Sequence, residues 1–437
     1  MSAGREMVMS SDAFRDRIDA LARREYPSLE SLYREFHAHP ELSGKERATA
    51  ARIAEELRRS GLTVHTGIGG HGVVGVLENG PGPTVMIRCD MDALPVAEKT
   101  GLSYASTVSV AVETRAVKVG VMHACGHDLH MAIMVGAARL LSALKGDWSG
   151  TLLAVGQPAE ETGAGARAMV ADGIFSRFPM PDCALALHVD PNIPAGKIGY
   201  RPGIISAGST SLDVTVRGIG GHAAHPHQSI DPVVTAARTI LALQTVVSRE
   251  IDPREMAVLT VGAVHGGTKH NAIPDEVVLR VNIRYNSDAV RDRMLASIER
   301  MVRGVALSAG VPDDLMPVIR RPGEATPPME NDPALTEHVR ASLVSVLGEE
   351  NVILIPQLTG SEDFSVFGNG TPRIPICYMR LGAADPRELE ESRGSGRSLP
   401  YLHSSRFAPP PDPTIRVGSI AMAGAVAGLL APREAGR

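Results

Sequence analysis

The sequence predicts an α/β protein whose mostly parallel sheet is interrupted by an inserted α+β unit of ferredoxin-like order. Three observations carry that prediction. The chain has 437 residues, more than one hydrophobic core usually organises. Apolar strand-like runs alternate with helix-patterned segments up to about residue 206 and again after Arg321. Between Ala207 and Arg321 the order becomes β-α-β-β-α-β, a unit compact enough to fold alone.

Taken in order, Leu29, Leu32 and Phe36 recur at helical spacing after Pro27, and Pro40 ends that helix. Ser43-Gly-Lys-Glu46 has the form of a capping box, ahead of a second helix in which Ala50, Ile53, Ala54 and Leu57 share a face. Strands are expected over 73–77 and 84–89, a helix over 129–144, a strand over 151–155, a helix over 164–172 and a strand over 184–188. The inserted unit reads as strand 212–217, helix 231–247, strands 257–264 and 276–284, helix 287–307 and a strand near 316–320. A helix over 335–347, a strand over 374–380, a polar loop over 383–400 and a C-terminal helix complete the chain.

Composition narrows the function. Hydrophobic residues are 43% and charged residues 21%, a balance that excludes a largely disordered chain or a multi-span membrane protein. Lys and Arg total 44 against 49 Asp and Glu, so no basic excess points to nucleic acid. The apolar stretch 417–431 is too short to span a bilayer. Four cysteines are too few for a disulfide framework. Cys89, Cys183 and Cys377 sit in apolar runs, whereas Cys125 sits among histidines. No secretory pattern opens the sequence, so a reducing, cytoplasmic setting is expected.

The chemistry concentrates in a few segments. Met122-His-Ala-Cys125-Gly-His127-Asp128 places a thiol and an imidazole two residues apart in a Gly-bearing turn before a helix, and both are ligand types for zinc-like metals. An incidental or redox thiol beside a surface histidine would explain neither His123 nor the helix start. Gln157-Pro-Ala-Glu160-Glu161 follows a buried strand, and adjacent carboxylates there suit metal binding and proton transfer from a metal-activated water. A solvated acidic loop is the plainer alternative. His188, ending a strand, and His403, near the chain's end, are further ligand candidates because a dinuclear site needs about five protein ligands. Asp90 and Asp92 emerge at the end of strand 84–89, either to orient a ligand imidazole or to cap a loop. In the inserted unit His222 can donate to an oxyanion. Asn271 and Arg284 suit a substrate carboxylate, although Arg284 reads equally as a surface charge.

Together, DMDALP, MHACGHD, QPAEE, GxGGHAAxPH, NAIPDEV, GSEDF and a late LH resemble the zinc-peptidase-related amidohydrolases. That family includes hippurate hydrolase, N-acyl-amino-acid amidohydrolases and indole-3-acetyl-amino-acid hydrolases. The resemblance runs from about Phe36 to His403, with HAHPE and GSEDF its weaker motifs. It implies a catalytic domain from 1–206 and 322–437, with 207–321 as a lid/dimerisation domain. It implies two divalent ions (Zn, Mn, Co or Ni) on Cys125, His127, Glu161, His188 and His403, with Glu160 as general base. His222, Asn271 and Arg284 match positions that bind the substrate carboxylate or oxyanion. The expected reaction splits an N-acyl amino acid into a carboxylic acid and a free amino acid. The expected assembly is a homodimer or higher homo-oligomer through the lid, with no nucleic-acid or membrane partner. A dipeptidase or carboxypeptidase, or a non-catalytic metal-dependent binding protein, are the alternatives. The stretches 107–119 and 383–400 are longer than in many relatives, so no one relative's substrate transfers directly.

Overall fold

The structure is a computed structural model describing residues 11–111, 118–370 and 372–431; residues 1–10, and 112–117 of the long stretch before MHACGHD, lie outside the described residues. In chain order the elements begin with α1 (Ser11–Ala38), α2 (Arg47–Arg59), β1 (Thr63–Ile68), β2 (Gly72–Asn79), β3 (Thr84–Asp90), β4 (Ser109–Ala111) and β5 (Lys118–Gly120). Next come α3 (His127–Ala143), β6 (Gly150–Gln157), α4 (Gly165–Ala171), α5 (Ile174–Arg177), β7 (Cys183–Pro194), β8 (Ile198–Tyr200) and β9 (Gly203–Ser206). The middle of the chain holds β10 (Gly208–Arg217), β11 (Gly221–His222), α6 (Pro232–Thr245), β12 (Ala257–Gly266), β13 (Ala272–Ile273), β14 (Glu276–Tyr285), α7 (Asp288–Ser308) and β15 (Val318–Arg320). It closes with β16 (Met329–Asn331), α8 (Pro333–Leu347), β17 (Val352–Leu354), α9 (Ser365–Gly368), β18 (Ile376–Ala384), α10 (Pro386–Ser395) and α11 (Pro411–Leu429).

Two compact units result. One comprises Met1–Gly203, Glu330–Pro356 and Asp363–Arg437; the other comprises Ile204–Met329 together with Gln357–Glu362. The sequence pattern placed its boundaries at 206/207 and 321/322 and gave no sign that 357–362 returns to the smaller unit.

The larger unit is built on an eight-stranded mixed sheet of order β1-β2-β6-β3-β7-β18-β8-β17. Its centre, β6-β3-β7-β18, is parallel throughout. Antiparallel pairs join β1 to β2, β2 to β6 and β18 to β8. Every residue of β3 and of β18 is buried, as expected for central strands covered on both faces. Helices α1, α3 and α11 pack together and share the main core with Leu29, Leu140, Ile420 and Val426. No helix among the described residues is long and apolar enough to cross a membrane.

The smaller unit has a four-stranded antiparallel sheet of order β12-β14-β10-β15. Along the chain its strands and long helices run β10, α6, β12, β14, α7, β15, and its separate core joins Leu212, Val214, Leu243, Leu279 and Ile298.

Four local readings need correction. Helix α1 runs through Pro27 rather than starting after it, because the buried stripe continues backwards through Ala22 and Ile18. Burial of such side chains, about 1.5–3 kcal/mol each, offsets a helix-interior proline. Strand β1 was not anticipated: it is an edge strand with only Ile68 buried, so its sequence shows no apolar alternation. The expected polar loop over 383–400 contains α10, whose N-cap Asp385 accepts from the Arg387 and Glu388 amides and which ends at left-handed Gly396. Only Leu389 of that helix is buried, too little to print a helical stripe.

The fourth concerns Ser43-Gly-Lys-Glu46, which does not cap α2. The Ala48 and Thr49 amides at the start of α2 donate instead to the Glu41 carboxylate, at 3.2 and 2.8 Å. Ser43 and Glu46 are thereby released to other partners.

Candidate active site

The larger unit gathers its chemistry at the carboxyl ends of parallel strands, where an open α/β sheet exposes its loops. From β3 come Asp90 and Asp92 and from β6 the turn bearing Glu160 and Glu161; His188 lies inside β7, which continues to Pro194 rather than ending at His188 as the sequence pattern implies. Helix α3 begins at His127, just after Cys125 and Gly126. Gly126 has φ +83°, and a Cβ there would lie 2.5 Å from the Val189 side chain, so the tight turn presenting Cys125 and His127 requires glycine. His403 arrives from the segment before α11, its amide donating to the Ala124 carbonyl at 2.8 Å.

Donor atoms of Cys125, Glu161 and His403 lie within 4.8 Å of one another, as do those of His127, Glu160 and Glu161. His403 Nε2 is 3.5 Å and His127 Nε2 3.9 Å from Glu161 Oε1. Cys125 Sγ is 3.4 Å from His188 Nε2. All six residues singled out around a metal therefore stand in the larger unit, connected through these contacts.

Hydrogen bonds settle which imidazole nitrogens face inward. His127 Nδ1 donates to the Asp92 carbonyl at 2.8 Å, which turns Nε2 towards the cluster; that atom is buried with no hydrogen-bond partner. His188 Nδ1 donates to the Val189 carbonyl at 2.8 Å, turning its Nε2 towards Cys125. His130 lies within the same group of donors as Asp90, His127 and His188, yet both its nitrogens are engaged. The Val189 amide donates to its Nε2 at 3.0 Å and its Nδ1 donates to Asp90 at 2.6 Å. It is a support for the site and not a ligand.

Glu161 Oε1 is likewise buried without a hydrogen bond. A buried carboxylate oxygen and a buried imidazole nitrogen left without hydrogen bonds at one point are costly unless a cation engages both. Thiol, imidazole and carboxylate donors together fit a zinc-like divalent ion.

The electrostatics agree. Burial opposes charging His127, but the Asp90 and Asp92 carboxylates outweigh it and hold its pKa well above the ordinary value. Burial pushes the Glu161 carboxyl and the Cys125 thiol up. Burial, helped by Arg380 and His130, keeps His188 well below its usual pKa and so neutral. The cluster is short of positive charge, and a bound cation would hold the Cys125 thiolate and the Glu161 carboxylate deprotonated.

Beneath the site lies a buried ionic lattice. Arg88 donates to Gln157 at 2.8 Å, to Asp90 at 2.8 Å and to Asp363 at 3.2 Å. Gln157 in turn donates to both Asp363 oxygens, at 2.7 and 2.9 Å. Asp90, shared by Arg88 and His130, is thus a partner of a supporting imidazole. Asp92 does both things the sequence left open: its carbonyl orients His127, and its carboxylate accepts the Glu160 and Glu161 amides at 3.1 and 3.0 Å.

Other supports escaped the sequence reading. His37 bridges buried Asp128 at 2.7 Å and Glu98 at 3.0 Å. Burial resists its protonation, yet these carboxylates raise its pKa to about 9. A charged residue inside an apolar run, as Arg88 is in VMIRCD, was the available signal for a buried pair.

In the smaller unit, His222 of β11 pairs with Ala272 of β13, and just beside that ribbon the Ala223 amide donates to the Asn271 carbonyl at 3.2 Å. The Ala224 amide donates to His222 Nδ1 at 3.0 Å, which places the ring proton on Nε2. Arg284 is not a loose surface charge: it donates to Asn282 at 2.8 Å and to Ser361 of GSEDF at 2.6 Å.

Comparison with known proteins gives concordant findings. The model of peptidase family M20/M25/M40 matches residues 86–392. The chain is similar to N-acetyl-L-cysteine deacetylase of Bacillus subtilis, 36% identical over 78% of this chain and 77% of that one. It is also similar to thermostable carboxypeptidase 1 of Saccharolobus solfataricus, 33% identical over 90% and 93% of the two chains. Among solved structures it resembles a dinuclear metal binding peptidase of the M20 family from Bacillus subtilis, with TM-score 0.74, 26% identity and coverage of 94% and 99%.

Proposed function

The chain belongs to peptidase family M20/M25/M40, and from that premise we propose that it hydrolyses the amide of N-acyl amino acids, releasing a carboxylic acid and a free amino acid. The observation that carries this reading is the pair of buried atoms without hydrogen bonds, His127 Nε2 and Glu161 Oε1, 3.9 Å apart beside Glu160. Cys125, His127, Glu161, His188 and His403 are assigned as holders of two divalent ions. Those ions supply Lewis acidity, activating a water and polarising the scissile carbonyl.

The chain's own residues supply the rest. Glu160 accepts the proton of the attacking water and later delivers it to the leaving amine. Asp92 keeps Glu160 and Glu161 on successive amides of one turn, so base and ligand are aimed separately. His222, with its proton on Nε2, is the tautomer an oxyanion donor needs. Asn271 and Arg284 are assigned to the substrate carboxylate, Arg284 being pre-oriented by Asn282 and Ser361.

The smaller unit, with its ferredoxin-like strand order, is read as a lid and dimerisation domain, and the larger as the catalytic domain. Its helix α6 exposes Val233, Val234 and Leu241, and β12 is a sheet edge; both favour a homodimer. Leu241→Glu is expected to shift the protein towards monomer in sedimentation at micromolar concentration; an unchanged dimer would move the interface elsewhere. The buried Cys125 thiol in the donor set supports a reducing, cytoplasmic setting.

The decisive experiment strips the protein with a chelator, adds back Zn, Mn, Co or Ni, and assays N-acetyl, N-benzoyl, long-chain and indole-acetyl amino acids alongside dipeptides. Activity is expected to disappear on stripping and return with a divalent ion on acyl amino acids. A clear preference for dipeptides would favour the carboxypeptidase reading, which the Saccharolobus relative supports. A metal-loaded protein inert across the panel would leave a binding role.

A further inference from the structure

The segment that imitates a capping box is free to act elsewhere, and both its ends reach the loops of the catalytic cluster. Ser43 Oγ donates to Asp92 Oδ2 at 2.6 Å, across 49 positions of sequence. Glu46, fully buried, accepts the Ala159 amide at 2.8 Å with Oε1, across 113 positions, and the Gly44 amide at 2.8 Å with the same oxygen. Asp92, also buried, takes the next two amides, those of Glu160 and Glu161. Three consecutive N–H groups are therefore held by two buried carboxylates, one of which Ser43 holds in turn.

The turn so held is not one the chain adopts readily. Ala159 has φ +53°, one of only two non-glycine residues in the left-handed region among those described. That region costs an L-residue roughly 1–2 kcal/mol, so such a conformation persists where surrounding contacts over-determine it. Its residue identity matters because Glu160 is next in sequence: a flip of Ala159 to negative φ would turn the Glu160 side chain away from its present direction.

We propose that Glu46 is a positioning residue: with Ser43 and Asp92 it braces the Ala159–Glu160–Glu161 turn, and the reach of its accepting oxygen sets the aim of Glu160. The proposal rests on the reading of Glu160 as general base.

The test compares Glu46→Gln, Glu46→Asp and Glu46→Ala at saturating metal, with Glu160→Gln alongside. Glu46→Gln keeps the accepting Oε1 and is expected to retain kcat within about 5-fold of wild type. Glu46→Asp keeps the charge but withdraws the acceptor by one methylene. It is expected to lose kcat by roughly 10- to 100-fold with KM changed less than about 3-fold, the scale of a slight misplacement of a catalytic group. Glu46→Ala should match or exceed that loss; if it does not fold, the Gln and Asp pair decides.

Wild-type kcat in Glu46→Asp with a disabled Glu46→Gln would make charge the operative property and overturn the brace. So would wild-type kcat in Glu46→Ala. A loss of kcat, KM and melting temperature together that Gln fails to rescue would reduce Glu46 to a structural residue. If Glu160→Gln keeps full turnover, the functional reading itself fails, an outcome distinct from failure of the brace alone.

Discussion

Glu160→Gln is expected to lower kcat by roughly 10²–10⁴-fold, the usual contribution of a positioned general base. The substitution is nearly isosteric. Its main-chain hydrogen bond to Asp92 is untouched because the donor there is the residue 160 amide. The neighbouring Glu161 and the groups around it also stay in place, so metal content measured by elemental analysis should remain at the wild-type stoichiometry. KM should change little, since the substrate carboxylate is assigned to other residues. Loss of metal together with loss of turnover would instead make Glu160 a ligand, and full turnover would remove it from the mechanism.

Arg88→Met is expected to destabilise the larger unit by about 3–5 kcal/mol, the range for removing one partner of a buried ion pair. Arg88 is fully buried in the all-buried β3, and its guanidinium is the cation facing both Asp90 and Asp363. Without it Asp90 and Asp363 each lose a facing cation in a region closed to water, Asp90 keeping His127 and His130 beside it. Burial alone would raise the Asp90 pKa, yet His127, His130 and, third, Arg88 hold it well below the carboxylate range. Urea unfolding followed by a probe in the larger unit measures the loss. Adding Asp363→Asn should recover part of it, because the variant then buries one charge fewer; strict additivity would show that Arg88 and Asp363 do not share an interaction.

What could be read from the sequence follows the range of the interactions involved. The strands over β3, β6 and β7 are central and buried, so their apolar runs stand out, and a polar residue just past such a run has few places to go but the sheet's carboxyl edge. Glu160, Glu161 and His188 stand out on those terms, Cys125 and His127 by ligand type and spacing in a Gly-bearing turn, and His403 because a dinuclear site still lacks ligands; the structure places all six in the larger unit. The supports were harder to see. Ser43 and Glu46 fit a local pattern so well that their partners, 49 and 113 positions away, were invisible. His130, a residue the motifs do not mark, enters only through the structure, where its hydrogen bonds to Asp90 and Val189 make it a support. Helix α10 has a well-formed start at Asp385-Pro386 but buries a single leucine, and helices without an apolar stripe leave no periodicity to find.

The return of residues 357–362 to the smaller unit bears on the order in which the protein can be completed on the ribosome. Gly360 accepts the Ser206 hydroxyl and the Ala207 amide, Leu358 donates to the Ile205 carbonyl, and Ser361 holds Arg284. These contacts cannot form until some thirty residues beyond Met329 have been synthesised. The larger unit waits longer still, since β18 lies between β7 and β8 in its sheet and is the last strand to emerge. A nascent chain stopped before residue 376 would carry most of the catalytic groups and a sheet still open at its middle, while the smaller unit already had all of its strands.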